Sequence, residues 1–179
     1  MNNNRATNKQ RSLRVTKRVA VFGVSAALAL ALSFFESLLP PLFSLHPGMK
    51  LGLSNVVTMT CGATFGIPCA LAVAVMKGVF AGLTRGFVAM LMSLIGGALS
   101  ALVVCFLLRL RLGYLVISVI GAVTHNMAQL TVCALLVLNF GVFIYAPVLA
   151  LFGVAAGCIT GSILCLLAKS KSVSKLKDL

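Results

Sequence analysis

Residues 18–39 read RVAVFGVSAALALALSFFESLL. After Arg18 this run holds one ionisable side chain, Glu36, near its far end. Its length matches the roughly 20 apolar residues that a helix needs to cross a bilayer. Arg5, Lys9, Arg11, Arg14, Lys17 and Arg18 precede the apolar part. A basic start followed by an apolar run imitates a secretory signal. This run is long, however, and carries no convincing small-residue cleavage site. It reads as a first spanning helix that ends at Pro40-Pro41.

The pattern repeats along the chain. After a loop from Pro41 to Pro47, a second helix is predicted from Gly48 to about Phe65. Gly66-Ile67-Pro68 breaks the chain before a third helix over 69–84. Thr84-Arg85-Gly86 turns into a fourth over 87–108, which stops at Arg109-Leu110-Arg111. A fifth covers 113–138, Asn139-Phe140-Gly141 turns again, and a sixth covers 142–168. Helices two and three are short for spans and are expected to be tilted, broken or sheltered. The domain reading is therefore a basic N-terminal tail over 1–17, mobile and polar, a six-helix membrane domain over 18–168, and a basic C-terminal tail over 169–179.

Composition agrees. Of 179 residues, 60% are hydrophobic and 9% charged, against about a quarter charged in ordinary soluble domains. Such a chain cannot furnish a polar surface, and lipid removes the need for one. The formal net charge of +13 does not point to nucleic acid, because of where it sits. The basic residues before the first run, Lys169, Lys171, Lys175 and Lys177 after the last, and the Arg109/Arg111 turn hold twelve of the fifteen. Six spans put both termini and that turn on one side. The preference of Lys and Arg for cytoplasmic segments makes that side the cytosol. Lys50 and Arg85 then lie near the outer face and Lys77 at membrane depth.

Cys61, Cys69, Cys105, Cys133, Cys158 and Cys165 all lie in apolar runs and form no CxxC pair. They read as small core residues rather than metal ligands or disulfides. Gly23, Ala27 and Ala31 recur at four-residue spacing on helix one. Small residues so placed let another helix approach closely. Either they pack inside the bundle or they form a docking face for a separate membrane protein. Gly78 and Gly82 on helix three read as internal packing.

Polar side chains at membrane depth are functional candidates by default. Pro47-Gly48-Met49-Lys50-Leu51-Gly52-Leu53-Ser54-Asn55 opens helix two. Lys50 lies in its first turn, where free backbone N–H groups favour an anion, and Ser54 is one turn deeper. His46 is adjacent, and an unperturbed imidazole titrates near neutral pH. The alternative is that Lys50 only snorkels to the interface. Lys77 needs an anionic or carbonyl partner, and Arg85 follows it on roughly the same face. Glu36 is the one carboxylate expected near the membrane, so a Lys77–Glu36 pair competes with an anionic ligand. On helix five His125 and Gln129 share a face one turn apart, beside Asn126. They form either a ligand contact or a hydrogen-bonded helix clamp. Helical rise sets His125 about 18 Å and Lys77 about 13 Å from the inner ends of their helices, at similar depth.

At these residues the chain resembles a known family. Pro47 to Asn55 resembles the P-G-x-K-L-G-L-x-N opening of the Gx transporter family, also labelled heptaprenyl diphosphate synthase component I. Gly121 to Gln129 is similar to its G-A-x-x-H-N-x-x-Q segment. The likeness covers about 18–168. The family is similar to the S-components of energy-coupling factor transporters, which are six-helix bundles of the bacterial cytoplasmic membrane. The resemblance implies an all-α, S-component-like bundle that binds a small anionic or prenyl-linked ligand. Lys50, Ser54, Asn55, Lys77, Arg85, His125, Asn126 and Gln129 are its candidate ligand-binding residues. It further implies a transmembrane coupling subunit with ATPases as partner, docked on Gly23, Ala27 and Ala31. It implies Arg where this chain has Lys77, which keeps the charge but loses the bidentate fork. A second implied reading is a non-catalytic subunit of a quinone- or flavin-linked redox assembly, or of an isoprenoid quinone pathway.

The synthase label conflicts with the residues. Prenyl-chain elongation uses aspartate-rich Mg²⁺ sites, whereas this chain has two acids, Glu36 and Asp178. Hard cations need clustered oxygen ligands, and no phosphate-binding Gly loop ending in Lys-Ser/Thr is present. No catalytic residue, metal site or resident cofactor is therefore expected.

Overall fold

The computed structural model describes residues 2–38, 54–110 and 112–169, without the side chains of 2–11, 13, 14 and 167. Six α-helices account for nearly all of them: α1 (Asn2–Leu38), α2 (Asn55–Phe65), α3 (Ile67–Arg85), α4 (Phe87–Arg109), α5 (Tyr114–Val137) and α6 (Ala146–Lys169). A short 3-10 segment, Phe140–Tyr145, leads into α6. Five stretches are long and apolar enough to cross a membrane: Val15–Leu38, α3, α4, α5 and Phe140–Leu166.

Three boundaries differ from the sequence reading, one of them the start of α6, expected at 142 and found at Ala146 after the 3-10 segment. The basic stretch read as a mobile tail is helical, so α1 runs back to Asn2. Helix three is longer than expected. It starts at Ile67, with Pro68 in its first turn, where the missing N–H would be unbonded anyway. Pro40-Pro41, the loop to Pro47, the predicted start at Gly48, Arg111 and the lysines beyond Lys169 lie outside the described residues.

Single glycines join α2 to α3 and α3 to α4. Gly66 has φ 86° and Gly86 φ 93°, a region that side-chain-bearing residues rarely adopt. The chain reverses at each. Gly78 faces Leu94 and Gly82 faces Met90 across α3 and α4, while Gly96 faces His125 and Gln129 across α4 and α5. Such falling registers mark antiparallel neighbours. Phe22 lies by Cys69 and Phe34 stacks edge-to-face on Phe80 with centroids 6.4 Å apart, a rising register that sets α1 parallel to α3. Helices α1, α3 and α5 thus run one way, and α2, α4 and α6 the other.

Helices α3 to α6 form an up-and-down row. The eleven-residue α2, about 16 Å long, is packed among α1, α3, α4 and α6. Its Asn55, Val57, Thr58, Met59, Cys61 and Gly62 are buried, so this short helix is sheltered by its neighbours. All six cysteines are free, with Cys61 and Cys105 buried.

The tightest interface is α5 against α6. A Cβ added at Gly157 would lie 2.5 Å from Val119 Cα, and one at Gly161 2.8 Å from Leu115 Cα. At Gly153 the nearest backbone atom, Val123 Cα, would be 3.1 Å away. Three glycines at four-residue spacing therefore bring two backbones into contact, the small-residue packing that association in lipid favours.

Outside, the bundle is apolar. Leu83, Ile144 and Leu151 are 83%, 76% and 71% exposed. Inside, Lys77, His125 and Gln129 are 4%, 4% and 3% exposed. This inversion of the usual distribution is stable only with hydrocarbon outside. Many hydroxyls are satisfied within their own helix, as Thr60 donating to Val56 O and Thr131 to Met127 O show.

Candidate functional site

One end of the bundle gathers the C-terminal ends of α1 and α3 with the start of α2. Ser54 Oγ donates to Glu36 Oε2 at 3.3 Å. Lys77 Nζ, one helix further in, donates to Asn55 Oδ1 at 2.8 Å. The Glu36 carboxylate acts electrostatically on both Lys77 and Arg85. Glu36, Ser54, Asn55 and Lys77 are all buried, at 8% exposure or less. Arg85 is half-buried at the last turn of α3, and its Nε has no hydrogen-bond partner. Two cations therefore share the field of one carboxylate in an apolar bundle. Of the two alternatives at Lys77, the Glu36 carboxylate is in the cluster. The hydrogen bond of the ammonium itself goes to an amide.

Beneath this cluster lies a small void of ≈ 10 Å³, a size that admits about one water. Asn55, Thr58, Ser100 and Gly97 are among its lining residues. Asn55 Nδ2 and Thr58 Oγ1 have no partner among the described residues. Ser100 Oγ donates across to Gly121 O on α5 at 2.8 Å.

The second group lies on α5. A Cβ at Gly96 of α4 would meet Gln129 Cγ at 2.9 Å and His125 Nδ1 at 3.2 Å. Gly96 is thus the notch that admits both side chains. Asn126 points the other way, and its Nδ2 donates to Leu149 O on α6 at 3.1 Å. For Asn126 the arrangement is a helix clamp.

Register relates the two groups. Gly78 faces Leu94 and Ala74 faces Gly97, while His125 faces Gly96. Lys77 and His125 are thereby level along α4, in agreement with the depths from helical rise. They approach α4 from different neighbours, Lys77 from α3 and His125 from α5. Ser54, Asn55, Lys77 and Arg85 come together. His125 and Gln129 form a separate group, and Asn126 turns from both. Lys50, His46 and the motif from Pro47 to Leu53 lie outside the described residues.

Gly23, Ala27 and Ala31 are exposed on α1, and a Cβ at Gly23 would have nothing within 4 Å. These residues do not pack against another of the described helices. Gly78 and Gly82 do, against α4. The sequence reading missed Glu36 as the acceptor for Ser54, the notch at Gly96, and the glycines Gly153, Gly157 and Gly161. The last three carry the spacing already noted on helix one. Gly96-Gly97 is a visible pair in an otherwise apolar run.

Helical spans that bury charge and expose apolar side chains define a multi-pass membrane protein. The family described as heptaprenyl diphosphate synthase component I matches residues 25–167, and the chain belongs to that family. No curated protein and no solved structure matches it.

Proposed function

We propose that the chain is a membrane-embedded binding subunit of a transporter, similar to energy-coupling factor S-components, for a small anionic or prenyl-linked ligand. The observation that supports it is the cationic excess around Glu36: buried Lys77 and half-buried Arg85 share one carboxylate. Unneutralised charge at membrane depth is costly, and an anionic ligand relieves it. Lys77 and Asn55 supply the main contacts, with Ser54 and Arg85 at the entrance; Lys50, outside the described residues, is a further candidate contact. His125 and Gln129 hold a deeper part of the ligand, and Asn126 fixes their helix to α6.

The chain has no catalytic role in this reading. Its two acids, Glu36 and Asp178, cannot supply a carboxylate-rich Mg²⁺ site. The word component in the family's description fits a subunit that works with partners. Both termini face the cytosol, because Arg18, Arg109 and Lys169 collect at one end. A coupling subunit with ATPases supplies the energy.

Native mass spectrometry of gently purified protein tests the reading. A small molecule is expected on the wild type and on neither Lys77→Met nor His125→Ala, with at least tenfold lower occupancy and the helical fold retained. Undiminished occupancy in both variants refutes the site. A quinone or flavin in its place, with no uptake defect on deletion, would favour the redox assembly. Prenyl transfer by the purified chain alone would end the non-catalytic reading.

The exposed Gly23, Ala27 and Ala31 face is the surface proposed for the coupling subunit. Gly23→Leu has room for its side chain in the isolated subunit. It is expected to fold normally and to lose co-purification of the partner at least tenfold. Normal partner recovery would place docking elsewhere.

A further inference from the structure

At the opposite, basic end an open groove of ≈ 360 Å³ separates α1 from the α2–α3 junction. Phe22, Thr64, Phe65, Pro68 and Cys69 line it, and Arg18 stands at it one helical turn before Phe22. The volume lies in the range of small-molecule sites, about 300–1,000 Å³, and the lining is mainly apolar. Thr64 spends its hydroxyl proton on Thr60 O at 2.7 Å, so it does not make the groove a hydrogen-bond donor. What the groove offers is one cation, Arg18, at the rim of an apolar slot.

Among the described residues, none near Arg18 is acidic. The only carboxylate among the described residues is Glu36, 18 residues further along the same helix, about 27 Å away. Lys17 adjoins Arg18, and Arg109 and Lys169 end their helices at the same end of the bundle. Arg18 also falls just inside the apolar stretch that begins at Val15, at the depth where headgroup and chain meet. Basic pockets between spanning helices suit acidic headgroups.

We infer that this groove is a site for an anionic phospholipid, with an acyl chain between Phe22 and Phe65 and the headgroup phosphate on Arg18. The site rests on the membrane location alone. It is separate from the Lys77 cluster, so either can fail without the other.

The test is native mass spectrometry of the full chain, exchanged into micelles containing phosphatidylglycerol or phosphatidylcholine. The wild type retains one phosphatidylglycerol with about fivefold preference over phosphatidylcholine, as expected from one interfacial cation. Arg18→Gln abolishes the preference. Thr64→Trp, which fills the slot, lowers retention of both lipids. Arg109→Gln, at the same end but outside the groove, changes neither. Equal retention of both lipids by the wild type would overturn the inference. So would an equal loss in Arg109→Gln, which marks diffuse attraction to the basic end. Displacement by millimolar inorganic phosphate would also overturn it, because the slot would then contribute nothing. Arg18 is exposed, so its variant decides the matter even if Thr64→Trp folds poorly.

Discussion

Gly157→Leu is expected to destabilise the bundle by more than about 3 kcal/mol, enough to lose the monodisperse protein in mild detergent. Overpacking a close interface ordinarily costs about 1–3 kcal/mol. Here the obstacle is worse than a side chain. The new Cβ would lie 2.5 Å from Val119 Cα and 3.0 Å from Ser118 O, and both are backbone atoms of a helix. Relief requires α5 and α6 to separate. Separation would pull on Asn126, which holds Leu149 O across the same interface, and would open gaps beside Gly153 and Gly161. Gly157→Ala should fall within the ordinary range of about 1–3 kcal/mol. Gly23→Leu, with open space around it, should stay within about 0.5 kcal/mol. Equilibrium unfolding by titrated SDS, read by circular dichroism, ranks the three. A Gly157→Leu protein as stable as Gly23→Leu would refute backbone contact between α5 and α6.

That contrast shows where the sequence is informative and where it stops. The membrane bundle follows from apolar runs and their basic flanks, because lipid imposes one rule on every span. The turns at Gly66 and Gly86 follow from residues that permit positive φ. Helix-facing geometry is different. Gly23, Ala27 and Ala31 have the same spacing as Gly153, Gly157 and Gly161, yet the first set faces outward and the second meets a backbone. Spacing fixes which residues share a face. It does not fix which neighbour that face meets, since apolar side chains suit lipid and protein alike. The same gap separates the candidate site residues. Asn126 and His125 are adjacent in sequence, but the 100° step between helical neighbours sends one to α6 and the other to α4. Lys77 was legible as a buried cation in want of a partner. That its partner is Asn55 depended on the antiparallel register of α2 and α3, which no local pattern encodes.

The Lys77–Asn55 contact leads to the second large effect, in which removing the neutral partner harms the fold more than removing the charge. Lys77 is 4% exposed, and its Nζ donates to Asn55 Oδ1 at 2.8 Å. Asn55→Leu leaves the ammonium in the bundle without that acceptor, while the Glu36 field only partly compensates. Hydrogen bonds to charged groups are worth about 1.5–3 kcal/mol, so a loss of about 3 kcal/mol is expected. Lys77→Met keeps most of the volume and removes the charge. It strands only the amide oxygen of Asn55, which already has an unpaired Nδ2 beside the small void. Its cost should be about 1 kcal/mol, at the low end for an unsatisfied neutral group. The double variant should then be more stable than Asn55→Leu alone, because no stranded charge remains. Glu36 keeps Ser54 and the field of Arg85 in that background. SDS titration of the two single variants and the double variant closes a thermodynamic cycle, with a coupling of about 1–2 kcal/mol expected. Strictly additive losses would mean that Lys77 does not depend on Asn55 in the membrane. The cation would then be held by something else, and the case for a ligand that shares it with Asn55 would lose its footing.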